Sequence, residues 1–165
     1  MKILGVDQSF TSCGIVIIED GQMVYEERFV SCKTLGKPER AYEVAKRLAI
    51  VALKNDVDAV ALEGLAFGGK GNATRDLAGL QFAILIELGV HNGYECEIIG
   101  IGTAKKLACG KGNAGKEVLV ESLPEYVRER FDALGVKKTT GLADLSDAYW
   151  IGMVLYNRIK ENTTK

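Results

Sequence analysis

The first thirty residues leave room for strands and turns and little else, and this narrows the fold before any residue is asked about chemistry. Residues 2–6 form an apolar run behind Lys2, and residues 11–18 form a second after a Gln8-Ser9-Phe10 turn, with 13–18 almost wholly apolar. Asp20-Gly21 is a strong two-residue hairpin signal. Residues 22–30 then alternate, which predicts Met23, Tyr25 and Phe29 on one face of a third strand. Residues 39–54 repeat apolar positions at helical spacing through Val44, Leu48 and Val51. Residues 57–63 are apolar enough for the interior of a sheet.

The rest alternates. Residues 64–72 hold four glycines and read as a loop, 73–90 as a second helix and 95–101 as a fifth strand. Shorter helical stretches are expected at 103–109, 114–123 and from Pro124 towards Leu134, and a last long helix at 142–161. The expected fold is α/β: a mixed five-stranded sheet, antiparallel in its first three strands with parallel additions, and helices on both faces. A chain of 165 residues fits one domain, residues 1–160, with 161–165 a frayed tail.

Apolar residues make up 47% and charged residues 26%, ordinary for a globular protein, and no run approaches a membrane span. The N-terminus enters a strand pattern directly, with no secretory signal. Cys13, Cys32, Cys96 and Cys109 lack paired spacing and histidine partners, which argues against zinc and for reduced thiols in a cytoplasmic setting, bacterial, phage-infected or organellar. A net charge of −1 does not announce nucleic-acid binding; a DNA-gripping surface would have to be strongly polarised.

Four carboxylates fall where such a layered fold converges. Asp7 and Glu63 each end an apolar strand, and Asp144 and Asp147 sit three apart near the start of the last helix, on one face. Singly, each has an ordinary role: Asp7 an Asx turn, Glu63 an exposed strand end, Asp144 an N-cap, Asp147 a first-turn acid. Together they would repel, at about 4 kcal/mol for two like charges about 4 Å apart at an effective dielectric of about 20. A hard divalent cation removes that cost, and oxygen-only ligands suit Mg²⁺ or Mn²⁺. Paired ions of this kind support in-line displacement at phosphorus. The stripe Leu145, Ala148, Tyr149, Gly152, Leu155 and Ile159 is expected to lie on the sheet, with Gly152 allowing close approach.

Two segments fit a phosphate-bearing substrate. Residues 105–117 combine glycines with Lys105, Lys106, Lys111, Asn113 and Lys116, either a phosphate cradle or a solvated basic turn. The glycine-rich stretch after Glu63 carries Phe67, Lys70 and Arg75, suited to insertion into unstacked DNA unless Phe67 enters the core. The helix at 73–90 becomes apolar almost all round after Leu80, so it is either central in the monomer or covered by a second copy. His91 reads as a helix-end residue and Trp150 as core, while Tyr126, Arg128 and Arg130 either touch DNA or solvate a helix.

The segments Gly-Val-Asp7-Gln-Ser-Phe-Thr-Ser-Cys-Gly, Ala-Leu-Glu63-Gly and Ala-Asp144-Leu-Ser-Asp147-Ala resemble the three acidic motifs of RuvC-type Holliday junction resolvases, the first looking closest to the phage-type branch. The resemblance runs from Met1 to about Asn157. It implies an RNase H-like fold, a homodimer, Mg²⁺-dependent nicking of four-way DNA junctions, and Asp7, Glu63, Asp144 and Asp147 as ligands of two ions. It also implies a catalytic role for Lys116 and a wedge role for Phe67. Other readings are a broader nuclease of flaps, forks and replication intermediates, a junction-binding protein that does not cut, and half of a sugar-kinase or actin-type ATPase, for which the chain is too short.

Overall fold

The computed structural model describes residues 1–65, 72–136 and 141–163; Phe67, Lys70 and the side chain of Lys116 lie outside that description. Strands β1 (Lys2–Asp7), β2 (Cys13–Glu19), β3 (Gln22–Phe29), β4 (Ala59–Glu63) and β5 (Glu95–Ile99) form one sheet in the order β3-β2-β1-β4-β5. The first three are antiparallel, and β4 and β5 join parallel to β1. The β2–β3 hairpin turns on Asp20 at φ 50° and Gly21 at φ 85°, the paired positive values of a type I′ turn.

Helices cover both faces. Against one lie α1 (Lys37–Lys54) and α2 (Asn72–Leu85); against the other lies α6 (Gly141–Thr163), itself packed by α3 (Ile101–Cys109), α4 (Lys116–Glu121) and α5 (Glu125–Ala133). Strand parity sorts the side chains: Ile3, Val16, Ile18, Ala59 and Ala61 face α6, while Leu4, Val6, Ile15, Ile17, Val60 and Leu62 face α1 and α2. Helix α6 runs two residues past the expected end, with the Thr163 hydroxyl bonded to the Ile159 and Lys160 carbonyls.

Two expectations change. Met23 and Tyr25 do not share a face. The β2–β3 register slips between Ile17, opposite Tyr25, and Ile18, opposite Met23, leaving Val24 as an extra bulged residue. Met23 therefore packs towards α6 and Tyr25 towards α1. Tyr126 and Arg130 serve this bulge: the Tyr126 hydroxyl accepts the Met23 N–H at 3.0 Å, and Arg130 donates to the Met23 and Val24 carbonyls at 3.0 and 3.1 Å.

The second change concerns α2, which gives way to a π-helical turn at Ile86–His91, where Glu87 is buried against Lys46, His91 and Asn92. Leu80, Ile84 and Leu88 are fully buried, whereas Phe82, Ile86 and Val90 stand 66%, 48% and 77% exposed. The helix is thus covered by its own chain on one side only.

Glycines let α6 lie against backbone. A Cβ on Gly5 would collide with the Ala148 carbonyl oxygen and come within 2.9 Å of the Gly152 nitrogen; one on Gly14 would collide with the Asp144 carbonyl. Gly5→Ala is expected to cost about 1–3 kcal/mol, seen as a fall in Tm of about 2–4 °C per kcal/mol. Gly79→Ala, with no atom within 4 Å of the added carbon, should leave Tm unchanged or raise it, as thermal melts would show.

Candidate active site

Asp7 and Glu63 occupy the carboxyl ends of neighbouring parallel strands, one step beyond the paired Val6 and Leu62. Parity turns both towards α6, since Asp7 follows Ile3 and Gly5, and Glu63 follows Ala59 and Ala61. On the other side of β1, Asp7 pairs with Gly14, whose missing side chain admits the backbone of Asp144. The close approach of α6 thus brings its first two turns to the edge where the strand acids end.

Asp7 is 8% exposed and Asp147 3%. Burial lifts the Asp7 carboxyl well above the usual carboxylate range; a hydrogen bond to Glu63 and the charges of Glu63, Asp147 and Asp144 push it the same way. Burial and its three acidic neighbours therefore all disfavour the charged form of this carboxyl. The turn after β1 does not need it, because the Ser9 hydroxyl accepts the Thr11 and Ser12 N–H groups. Asp144 is no N-cap either: α6 begins at Gly141, and the Asp144 carboxylate accepts the Ser12 hydroxyl at 2.6 Å and lies 3.8 Å from Arg28 Nε.

The four acids thus share one electrostatic environment without forming one coordination shell. Among the described residues no three acidic, histidine or cysteine side chains stand ready around a single ion point. Asp7 leans on Glu63, and Asp144 leans on Ser12 and Arg28. The donor set is all oxygen and over-negative, which suits a hard cation chemically.

Beneath the acids, Gln8 and Gln81 both donate to the Glu63 carbonyl, at 2.7 and 2.9 Å, and fix the end of β4. Residue type and spacing in the sequence assign no site role to either glutamine, to Ser12 or to Arg28. Gln8 adjoins an expected site residue and a polar residue on the apolar run of α2 was a signal for Gln81; nothing marked Arg28. A small cleft of about 150 Å³ opens beside Glu63, lined by Gln8, Gly64, Leu65, Thr74 and Leu77.

The basic segment begins at the same sheet edge. The Gly64 N–H bonds to the Ile99 carbonyl at 2.7 Å, so β5 ends beside Glu63 and hands the chain to α3. Lys105 is half-buried on α3, Lys106 is exposed, and Gly110 at φ 77° closes the helix before exposed Lys111 and Asn113. Lys116 opens α4. Arg75, exposed on α2, lies 3.5 Å from Asp76.

The raised Asp7 pKa carries a sign. A carboxyl whose folded pKa exceeds its unfolded one stabilises the fold only while protonated, and the fold loses stability as pH rises from the ordinary aspartate range through the raised value. Asp7→Asn should therefore raise Tm in chelator at neutral pH, by about 2–4 °C per kcal/mol of repulsion relieved. The gain should shrink as pH falls towards the ordinary aspartate range, a trend that melts across pH would test.

No family model matches the chain. It is 27% identical over 163 residues to a protein named crossover junction endodeoxyribonuclease RuvC from Sulfurovum sp. strain NBC37-1, covering 97% of this chain and 98% of that one. A protein of the same name from Campylobacter concisus is 24% identical over 98% of this chain and 100% of its own. Among solved structures, Thermus thermophilus RuvC in complex with Holliday junction substrate superposes with a TM-score of 0.74 at 23% identity, covering 97% of this chain and 96% of that one. The shared architecture is the RNase H-like fold. Along almost its whole length the chain is similar in sequence to proteins named RuvC, and it shares the fold of Thermus thermophilus RuvC.

Proposed function

We propose that the chain is a structure-selective endodeoxyribonuclease that resolves four-way DNA junctions by paired, symmetric hydrolysis of phosphodiester bonds. One observation carries this reading: β1, β4 and α6 deliver Asp7, Glu63, Asp147 and Asp144 to one electrostatic environment, in which burial and the other three acids all push the Asp7 carboxyl above its usual range. The RuvC-named relatives, matched end to end, support the same substrate class. Residues 1–160 would form the nuclease domain, working in the cytoplasm.

Asp7, Glu63, Asp144 and Asp147 would hold Mg²⁺, with Mn²⁺ able to substitute and two ions per site. Such ions, when bound, activate water and offset charge on the leaving oxygen. The chain's own part is to present and hold the carboxylates: Gln8 and Gln81 fix the Glu63 backbone, and Ser12 holds Asp144. Asp7, pushed up by burial and by its acidic neighbours, is the carboxyl whose ionisation a bound cation would favour. Water adds to phosphorus as the bond to the 3′-oxygen breaks, leaving 5′-phosphate and 3′-hydroxyl ends. Lys116 would stabilise the charge that develops on the phosphate. Lys105, Lys106, Lys111, Asn113 and Arg75 would contact the DNA backbone, and Phe67 and Lys70 the junction centre.

A homodimer follows from the same reading, because a four-way junction is close to two-fold symmetric and needs two nicks. The uncovered stripe Phe82, Ile86 and Val90 on α2 and its continuation supports that face as the contact.

Asp7→Asn should abolish Mg²⁺-dependent nicking of a four-way junction while binding survives or tightens; wild-type cutting rates in that variant would remove the site assignment. Comparing rates of the parent protein on a four-way junction and a Y-fork separates a strict resolvase from a broader branched-DNA nuclease. Phe82→Glu should convert the dimer to monomer in sedimentation velocity, with Tm of the monomer little changed.

A further inference from the structure

We propose that Arg28 binds a DNA phosphate at the rim of the candidate active site, with Asp144 as the group that holds it in place; the proposal rests on the nuclease reading above. The bulge at Val24 decides which residues of β3 look towards α6. Beyond it, Glu26 pairs with Val16 and Arg28 with Gly14, both β2 positions on the α6 face. Arg28 therefore meets the first turn of α6, where its Nε lies 3.8 Å from Asp144 Oδ2. That Nε is sealed from solvent and has no hydrogen-bond partner, while 29% of the side chain remains open.

The other half-buried arginines are committed elsewhere. Arg40 bonds Ser31 and the Phe10 carbonyl, Arg47 grips Glu27, and Arg130 holds Glu26 and the bulge. Among the described residues, Arg28 makes no hydrogen bond through any of its guanidinium nitrogens. Gly141 packs on its stem, where a Cβ would come within 2.9 Å of Arg28 Cδ and Nε. Arg28 also lines an open groove of about 720 Å³ with Tyr25, Glu26, Glu27, Arg47 and Val136. The carboxylates in that wall already have arginine partners, so among the described residues of the groove Arg28 is the cation left to meet an incoming anion.

A planar guanidinium with unused donors matches phosphate. Its place answers a difficulty of the site itself, since four carboxylates repel the backbone that must reach them, and a fixed cation beside Asp144 offsets that repulsion along one approach. Holding the arginine before DNA arrives also lowers the ordering cost of the contact.

The test uses the full chain with Asp7→Asn as the non-cutting parent, and measures Kd for a four-way junction against KCl concentration. Adding Arg28→Met should weaken binding roughly tenfold near 0.1 M salt and lower the slope of log K against log salt by about 0.9, the release expected for one phosphate contact. Arg28→Lys should keep the slope and recover part of the affinity. An unchanged slope in Arg28→Met overturns the proposal. So does a change confined to the Mn²⁺ dependence of Tm, measured with Asp7 intact, which would make Arg28 only a positioning residue for Asp144. If Arg28→Met fails to fold, Arg28→Gln carries the same comparison. A parent that shows no preference for junction over duplex defeats the nuclease reading instead, so the two failures are distinguishable.

Discussion

Helix α6 and the first hairpin meet backbone to backbone. At Gly5 and Gly14 the helix carbonyls of Ala148 and Asp144 fill the space a side chain would take, and Gly152 makes room from the other side. Cores transmit displacement because they are close-packed. A helix lifted by a single methyl group would carry Asp144 and Asp147 away from the strand ends together. Backbone contacts thus set where the helix acids lie, and side-chain partners such as Ser12 act within that frame.

That arrangement sets packing against electrostatics. Apolar burial along Leu145, Ala148, Tyr149 and Leu155 pins α6 to the sheet. The same contact drives Asp147 and Asp7 out of water beside Asp144 and Glu63. The chain relieves the strain piecemeal, with a hydrogen bond between Asp7 and Glu63, and a hydroxyl and an arginine on Asp144. Each relief is one that a cation or a phosphate could replace.

The layered fold was legible because its signals are local. The Asp20-Gly21 turn, the period-two runs and the helical spacing of residues 39–54 each survive without tertiary context. The acids were legible for a related reason, as ends of strands and one helical face are properties of position. What escaped depended on pairing. Ser12 approaches Asp144 through the packing of α6 on Gly14, and Arg28 through the β2–β3 register, where no periodicity in residues 22–30 announces that Val24 drops out. The two glycines opposite α6 escaped likewise, since a close approach belongs to both partners and only Gly152 sat on the element being read. Tyr126 and Arg130, chemically plausible for DNA, tie α5 to β3.

The bulge has an evolutionary reach out of proportion to its size. Side chains on a strand alternate like the teeth of a zip, so one surplus residue reverses which neighbour confronts the helix from there to the strand's end. Here that places Arg28, in preference to Phe29, opposite Asp144. A single codon gained or lost in this ribbon would trade a cation for an aromatic ring at the mouth of the pocket, leaving every acid, and the helix that bears two of them, untouched.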